Sequence, residues 1–362
     1  MLLIVDDCYF DFFIYIIYRM SKTQKIIKSI KHHNRRHTLK QKRDAKKSRD
    51  AKKSRVVAPR VVGMITVPLS PNKRFFSVCG DSYIASSHIS WLKRQGIRVI
   101  PIPYNTTKFK KYMKRINGLY FPSGGVFALN SREYYDCCKK FLQLSMEEND
   151  HGNYFPIWGG CMGMQQMMII ADGKDNLDTL LTKFDSFGNL LLPLNITDEG
   201  EKSRMFKNMS PECIKRLKTR NVTMNNHKMG VSPYKFKQHK NLNNFFKMVS
   251  TNKDRQGKKF VSTIEAHHYP FYGVQWHPER NSDMDEFGKF FLRELKKNKN
   301  KINNKITKRL EKKIYSKKID CMNYSGDLYK KCNFYWHKKT SKHNRRLCSN
   351  AQTQKAGRYS GV

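Results

Sequence analysis

Between Val61 and Leu295 the apolar positions follow two rhythms in turn: short β-branched runs, and longer stretches with one apolar face. Val61-Val-Gly-Met-Ile-Thr-Val67 is apolar almost throughout and is stopped by Pro68, the pattern of a parallel strand buried on both faces. Ser82 is placed to cap a helix in which Ile84, Ala85, His88, Ile89 and Leu92 share a face and which Gly96 ends. Arg98–Ile102 predicts a strand and Thr107–Ile116 a helix. Gly118–Phe121 predicts another strand, running into the turn Pro122-Ser-Gly-Gly125. A helix is expected from Ser131 to about Met146, a strand over Tyr154–Trp158, and a Met- and Ile-rich helix from Cys161 to Ile170. Phe271–Gln275 reads as the last strand and Asp283–Leu295 as an amphipathic closing helix; beyond Lys296 the periodicity lapses.

Strand and helix alternating with short connections predict an α/β fold: a doubly wound, mostly parallel sheet flanked by helices, flavodoxin-like in its winding. Ligands of such sheets bind outside the carboxyl ends of the strands. Gly124, Gly125, Cys161 and His277 each follow a predicted strand and so converge on that edge.

Charge changes the picture at the two ends of the chain. The formal net charge is +42 and mean hydropathy −0.71, but residues 21–60 hold sixteen Lys and Arg against Asp44 and Asp50, and residues 296–362 hold twenty against Glu311, Asp320 and Asp327. The expected organisation is an apolar, aromatic segment at 1–20, a basic low-complexity linker at 21–59, a catalytic domain at 60–296, and a basic tail at 297–362. Both basic extensions are expected to be disordered, with weak attraction to nucleic acid or an anionic surface. Segment 1–20 lacks the leading positive charge of a secretory signal, and its uninterrupted run Phe12–Tyr18 is too short to span a bilayer. The basic clusters are equally compatible with a cytoplasmic or nuclear address, and the five sequons matter only in a secretory compartment. Nine cysteines without paired CxxC spacing imply neither a disulfide framework nor a zinc ribbon. Cys321, Cys332, His337, His343 and Cys348 in the tail fit no zinc-finger spacing, so no metal is expected.

The chemistry gathers in three places. Gly159-Gly160-Cys161-Met162-Gly163 puts a thiol on a sharp turn between strand and helix, where flanking glycines relieve crowding and the helix N-terminus favours thiolate. The Met162 N–H is positioned to help hold an oxyanion. In Gln275-Trp-His277-Pro-Glu279, His277 can take the thiol proton and later give it to a leaving amine, while Glu279 orients the imidazole. Ser123-Gly124-Gly125 offers further backbone N–H groups for the oxyanion. A satisfied histidine and a plain turn are the ordinary readings of the last two taken singly; the three in this order argue for a cysteine hydrolase.

In that order, and with their flanking residues, these segments resemble the γ-glutamyl hydrolase family of the class I glutamine-amidotransferase-like superfamily. The resemblance rests on Val62-Gly-Met-Ile, Tyr83-Ile-Ala-Ser-Ser, Ile116-Asn-Gly-Leu-Tyr-Phe-Pro-Ser-Gly-Gly125 and Tyr154-Phe-Pro-Ile-Trp-Gly-Gly-Cys-Met-Gly163. Ser203-Arg-Met-Phe206, Asn226-His-Lys228 and Tyr269-Pro-Phe-Tyr-Gly-Val-Gln-Trp-His-Pro-Glu279 continue it. It implies hydrolysis of γ-glutamyl bonds, typically in folylpoly-γ-glutamates, through a γ-glutamyl thioester on Cys161, without a cofactor. It further implies substrate contacts from Tyr83, His227, Gln165 and Arg280. The chain departs from the family pattern at Gln165, where Glu is expected, at Arg280 for Lys, and at Met229 for Trp. Glutaminase or another γ-glutamyl amide hydrolase, and a nucleic-acid-binding protein using the fold as scaffold, remain open alternatives, as does a homodimer.

Overall fold

The computed structural model describes residues 38–44, 59–69, 81–173, 177–311, 318–319 and 332–335. The apolar segment 1–20 and the tail residues Cys321, His337, His343 and Cys348 lie outside the described residues. The chain divides into two compact units, Met1–Ala58 and Pro59–Val362. In the first, residues 38–44 form a short exposed helix, α1.

The second unit opens with β1 (Val61–Ile65), every side chain of which is buried. Val61 and Ile65 pack into the apolar layer on one face, Val62 and Met64 into the layer on the other. An unbroken apolar run is what a strand covered on both sides requires. After β2 (Val67–Pro68) and β3 (Ser82–Ala85) come α2 (Ser86–Arg94), β4 (Arg98–Ile102), α3 (Phe109–Met113) and β5 (Gly118–Phe121). Next are α4 (Val126–Leu129), α5 (Arg132–Asp150), β6 (Ile157–Gly160), α6 (Met162–Asp172) and α7 (Leu177–Leu180). The chain continues through β7 (Thr182–Leu192), β8 (Asn195–Ile196), α8 (Asp198–Glu201), α9 (Pro211–Thr219), β9 (Thr223–Gly230), α10 (Pro233–Gln238) and α11 (Lys240–Phe245). Then follow β10 (Phe246–Lys253), β11 (Lys259–Ala266), β12 (Phe271–Val274), α12 (Asp285–Lys297), α13 (Asn304–Glu311), β13 (Lys318–Ile319) and β14 (Cys332–Tyr335).

The central sheet has eight strands in the order β4-β1-β5-β6-β12-β11-β10-β8. Pairing is parallel from β4 to β12 and antiparallel from there to β8, so the expected doubly wound, mostly parallel sheet carries an antiparallel extension. The register aligns three neighbouring strand ends: Phe121 of β5 and Gly273 of β12 both pair with Gly159 of β6. Ser123, Cys161 and His277 therefore leave adjacent strands at the same edge.

Three expectations need correction. Ser82 does not cap a helix. It lies in β3, which pairs antiparallel with β2 and β14, and its hydroxyl goes to Asp81 at 3.1 Å, so α2 starts after Ala85 without a side-chain cap. Ser131 does cap α5, accepting from Tyr134 N–H, but the helix runs past Met146 to Asp150. The boundary at Lys296 falls inside packed structure. Asn298 is 2% and Thr307 1% exposed; Asn117 donates to Asn298 Oδ1 at 3.0 Å, and Asn300 donates to Met113 O at 2.9 Å and Ile116 O at 2.8 Å. Side-chain amide hydrogen bonds hold much of this stretch, with only Ile302 and Leu310 packed against the apolar core, which is why hydrophobic periodicity lapses while the fold continues.

Candidate active site

The turn between β6 and α6 is the most constrained piece of backbone at this edge. Cys161 has φ 48° and ψ −105°, a conformation that costs a non-glycine residue about 1–3 kcal/mol. Its N–H donates to Val274 O at 2.7 Å and its carbonyl accepts from Gln165 N–H at 3.1 Å, so β12 and the first turn of α6 hold it from both sides. Glycine is required beside it: a β-carbon at Gly163 would lie 1.9 Å from Phe121 O, and one at Gly159 would lie 2.9 Å from the Gly163 backbone. The sharp turn read from the glycine spacing is present, with Cys161 6% exposed.

His277 follows β12 and is fixed by its own N–H, which donates to Met224 O at 2.8 Å. Nδ1 lies 2.8 Å from Glu279 Oε1, the two side chains each 1% exposed, and the Cys161 sulfur is close enough to act on the charge of the ring. Burial works against a charged imidazole, but the Glu279 carboxylate and the Cys161 sulfur outweigh it and raise His277 to about 10. Burial also disfavours the Glu279 carboxylate; His88 and His277 overcome it and hold the carboxyl at about 2. At neutral pH the pair is imidazolium and carboxylate.

The turn Ser123-Gly124-Gly125 leaves β5 beside the thiol. A β-carbon on Gly124 would lie 2.9 Å from Met162 Sδ, so the turn rests on the residue that opens α6. The Gly125 backbone hydrogen-bonds the hydroxyl of Tyr83, whose burial pushes that hydroxyl up to about 12 against the pull of the bond. Gly125 is thus engaged within the protein, whereas the N–H groups of Gly124 and Met162 make no hydrogen bond among the described residues.

Gln165, expected to meet substrate, is 3% exposed; its Nε2 donates to Met229 O at 2.6 Å and Gln275 Oε1 at 3.0 Å. Both bonds point into the protein because β9 and the end of β12 enclose the first turn of α6, so Gln165 supports the site rather than offering its amide N–H groups to a ligand. Gln275 in turn donates to Cys161 Sγ at 3.5 Å. His227 is buried between the rings of Phe184 and Phe260, with Nδ1 3.0 Å from Met229 O. Burial lowers it to about 3, so it is neutral. Arg280 is half-buried at the end of the 3-10 turn Pro278–Arg280, its N–H on His277 O at 3.1 Å. Three residues in the site were not singled out by sequence: Gln275, Tyr120 and His88. His88 carried a signal, a histidine on an otherwise apolar helix face.

Next to Met229 a groove of about 610 Å³ opens between Leu129, at the end of α4, and the β7–β9 pair, lined also by Lys183, Lys228, Lys258 and Phe187. Lys228 Nζ stands 4.8 Å over the Phe187 ring. Asp185, which also lines the groove, is already paired with Arg255 at 3.1 Å. None of the three lysines is in an ion pair among the described residues.

Residues 78–296 match the family model described as glutamine amidotransferase class-I. The γ-glutamyl hydrolase of Rattus norvegicus is 33% identical over 269 residues, covering 69% of this chain and 81% of that protein. The chain belongs to the γ-glutamyl hydrolase family. Within that family, γ-glutamyl hydrolase of Homo sapiens is 38% identical over 204 residues, 56% of this chain and 62% of its own length. γ-Glutamyl hydrolase B of Dictyostelium discoideum is 34% identical over 225 residues, 61% of this chain. The chain thus spans 62% of the length of each of these two relatives.

Proposed function

We propose that this chain hydrolyses γ-glutamyl amide bonds with Cys161 as nucleophile and His277 as acid and base. One observation carries the reading: a strained, glycine-flanked cysteine whose sulfur raises the proton affinity of a buried histidine, the Nδ1 of which is 2.8 Å from a buried carboxylate. Cys161 Sγ attacks the γ-carbonyl carbon, and the oxyanion forms against the N–H groups of Gly124 and Met162. His277 gives its proton to the leaving nitrogen as the C–N bond breaks, leaving a γ-glutamyl thioester. Water then attacks the thioester, His277 takes a proton from it, and the glutamate product leaves as the thiolate is restored. Each turnover consumes one amide and one water.

Poly-γ-glutamyl chains are the favoured substrates. They carry one α-carboxylate per residue, and the groove beside Met229 offers Lys183, Lys228 and Lys258 to such a polyanion. Glutamine, with a single glutamyl unit, leaves that groove unused. Folate pentaglutamate incubated with the full chain should yield shortened species by mass spectrometry, and Cys161→Ser, equally folded, should yield none. Products from Cys161→Ser would sink the mechanism; γ-linked diglutamate failing to compete with glutamine would favour the glutaminase reading. The basic termini we propose to bind anions weakly; retention on RNA should then fall steeply with salt.

A further inference from the structure

We propose that His88 is a positioning residue that ties Glu279 to the oxyanion turn through Ser123. The proposal rests on the hydrolytic reading above and goes beyond it by adding a fourth side chain to the machinery. His88 comes from α2 and is fully buried. Its Nε2 lies 2.6 Å from Ser123 Oγ, and its Nδ1 lies 3.0 Å from Tyr120 Oη and 3.5 Å from Glu279 Oε1. Tyr120 Oη is itself 3.1 Å from where a β-carbon on Gly160 would stand, directly beneath the cysteine turn. A single ring thus touches the floor of that turn, the oxyanion turn and the turn that bears the carboxylate, which leave strands on either side of β6.

The carboxylate shows why this contact matters. Glu279 Oε1 is held by His277 at 2.8 Å and faces His88 at 3.5 Å, while Oε2, also buried, has no hydrogen-bond partner among the described residues. Its orientation therefore depends on the two imidazoles that share one oxygen. His88 is neutral: burial lowers it to about 4, helped by His277 and Arg280 and opposed by Glu279. A proton on Nδ1 points between Glu279 Oε1 and Tyr120 Oη, and Ser123 O–H then donates to Nε2; the other tautomer would set a lone pair against the carboxylate. Packing alone does not call for this residue, because an apolar side chain would fill the same space without the cost of burying a polar ring.

The test is a double-mutant cycle in the full chain, His88→Leu against Ser123→Ala, on an aminobenzoyl γ-linked diglutamate. His88→Leu should lower kcat by about 30-fold with KM nearly unchanged, as misplacement of catalytic groups does. Ser123→Ala should lower kcat about fivefold in the parent and have no further effect in His88→Leu, because the contact is already gone. His88→Gln, which keeps a polar group toward Ser123, should recover part of the loss. Losses that simply multiply, or a folded His88→Leu with parental kcat, would overturn the proposal. Should His88→Leu fail to fold, Ser123→Ala alone decides, since parental kcat in that variant removes the link to the oxyanion turn. A readout free of substrate separates this proposal from the hydrolytic reading: alkylation of Cys161 by iodoacetamide at pH 7, followed by peptide mass, should slow about fivefold in His88→Leu. Slower alkylation in a parent inactive on γ-glutamyl bonds would retain the positioning role and reject the substrate; unchanged alkylation with unchanged kcat would reject the positioning role.

Discussion

A histidine raised to about 10 already holds its proton at neutral pH, so in the proposed mechanism its first act is as an acid toward the leaving nitrogen. Activity should then fall on the alkaline side as that proton is lost, with a limb near 10. The proton stays there because Glu279 and Cys161 together outweigh burial. Glu279→Gln keeps the shape and removes the charge, leaving burial opposed by Cys161 alone, so the limb should move to lower pH. The pH profile of kcat/KM for that variant, with a drop of about 10²-fold at pH 8, checks this; an unmoved limb would show that the carboxylate does not set the proton's affinity. Gly163 is a steric case. Its β-position is 1.9 Å from a backbone oxygen on β5, which cannot give way as a flexible side chain can, so Gly163→Ala should push α6 off the sheet. Loss of activity with a lowered thermal midpoint is expected.

At the scale of elements, the parallel half of the fold was legible because its strands are covered on both faces: β1 and β5 are unbroken apolar runs, and β4 is one after its half-buried Arg98. The turns that place Cys161 and His277 at one sheet edge were legible for a related reason, since a thiol between glycines and a histidine after a strand need particular neighbours to exist at all. The antiparallel pair β7–β9, a two-stranded sheet of its own, was not. β7 mixes buried and exposed positions without strict alternation, and its pairing with β9 shifts register twice. β3 was misread because Tyr83, Ile84 and Ala85 suit a helix face as well as a strand, and only pairing to β2 decides between them. His88 passed as a core residue because its partners Ser123 and Glu279 lie 35 and 191 positions away. The stretch after Lys296 shows the same limit. Its anchors are amides, so ending the chain at residue 296 strips partners from Asn117 and from the carbonyls of Met113, Ile116 and Tyr154. Each buried group left unpaired costs about 1–3 kcal/mol, so that truncation should lower the thermal midpoint by many degrees and by clearly more than ending at residue 312, which among the described residues strips only the pairing of β14 with β3. Equal midpoints would mean that the asparagines satisfy groups that water serves equally well.

Across the whole molecule the charge of +42 suggests strong pH dependence, yet nearly all of it is Lys and Arg, which stay charged in folded and unfolded chains alike through the neutral range. The groups that matter are the few whose proton affinity changes on folding. His88 and His227 are lowered from 6.5 to about 4 and about 3 by burial. Below pH 6.5 the unfolded chain takes up protons that these rings refuse, so stability falls as pH drops toward 4. His277 is raised to about 10; above 6.5 the folded chain keeps a proton the unfolded chain releases, so stability falls again as pH climbs to 10. Glu279, held at about 2, keeps its contribution above its ordinary range and loses it only as pH falls from 4.5 toward 2. Burial of the Cys137 and Cys138 thiols raises both above 9, which adds to the loss beyond that pH. Thermal midpoints between pH 4.5 and 9 should therefore peak near 6.5, with the acid limb the steeper because two histidines oppose one. Replacing His88 by Leu removes one of the two, so it should flatten the acid limb even where it lowers the midpoint at neutral pH. An acid limb of parental steepness in that variant would mean that His88 is charged in the folded protein, and its contact with Glu279 would then be an ion pair rather than a neutral hydrogen bond.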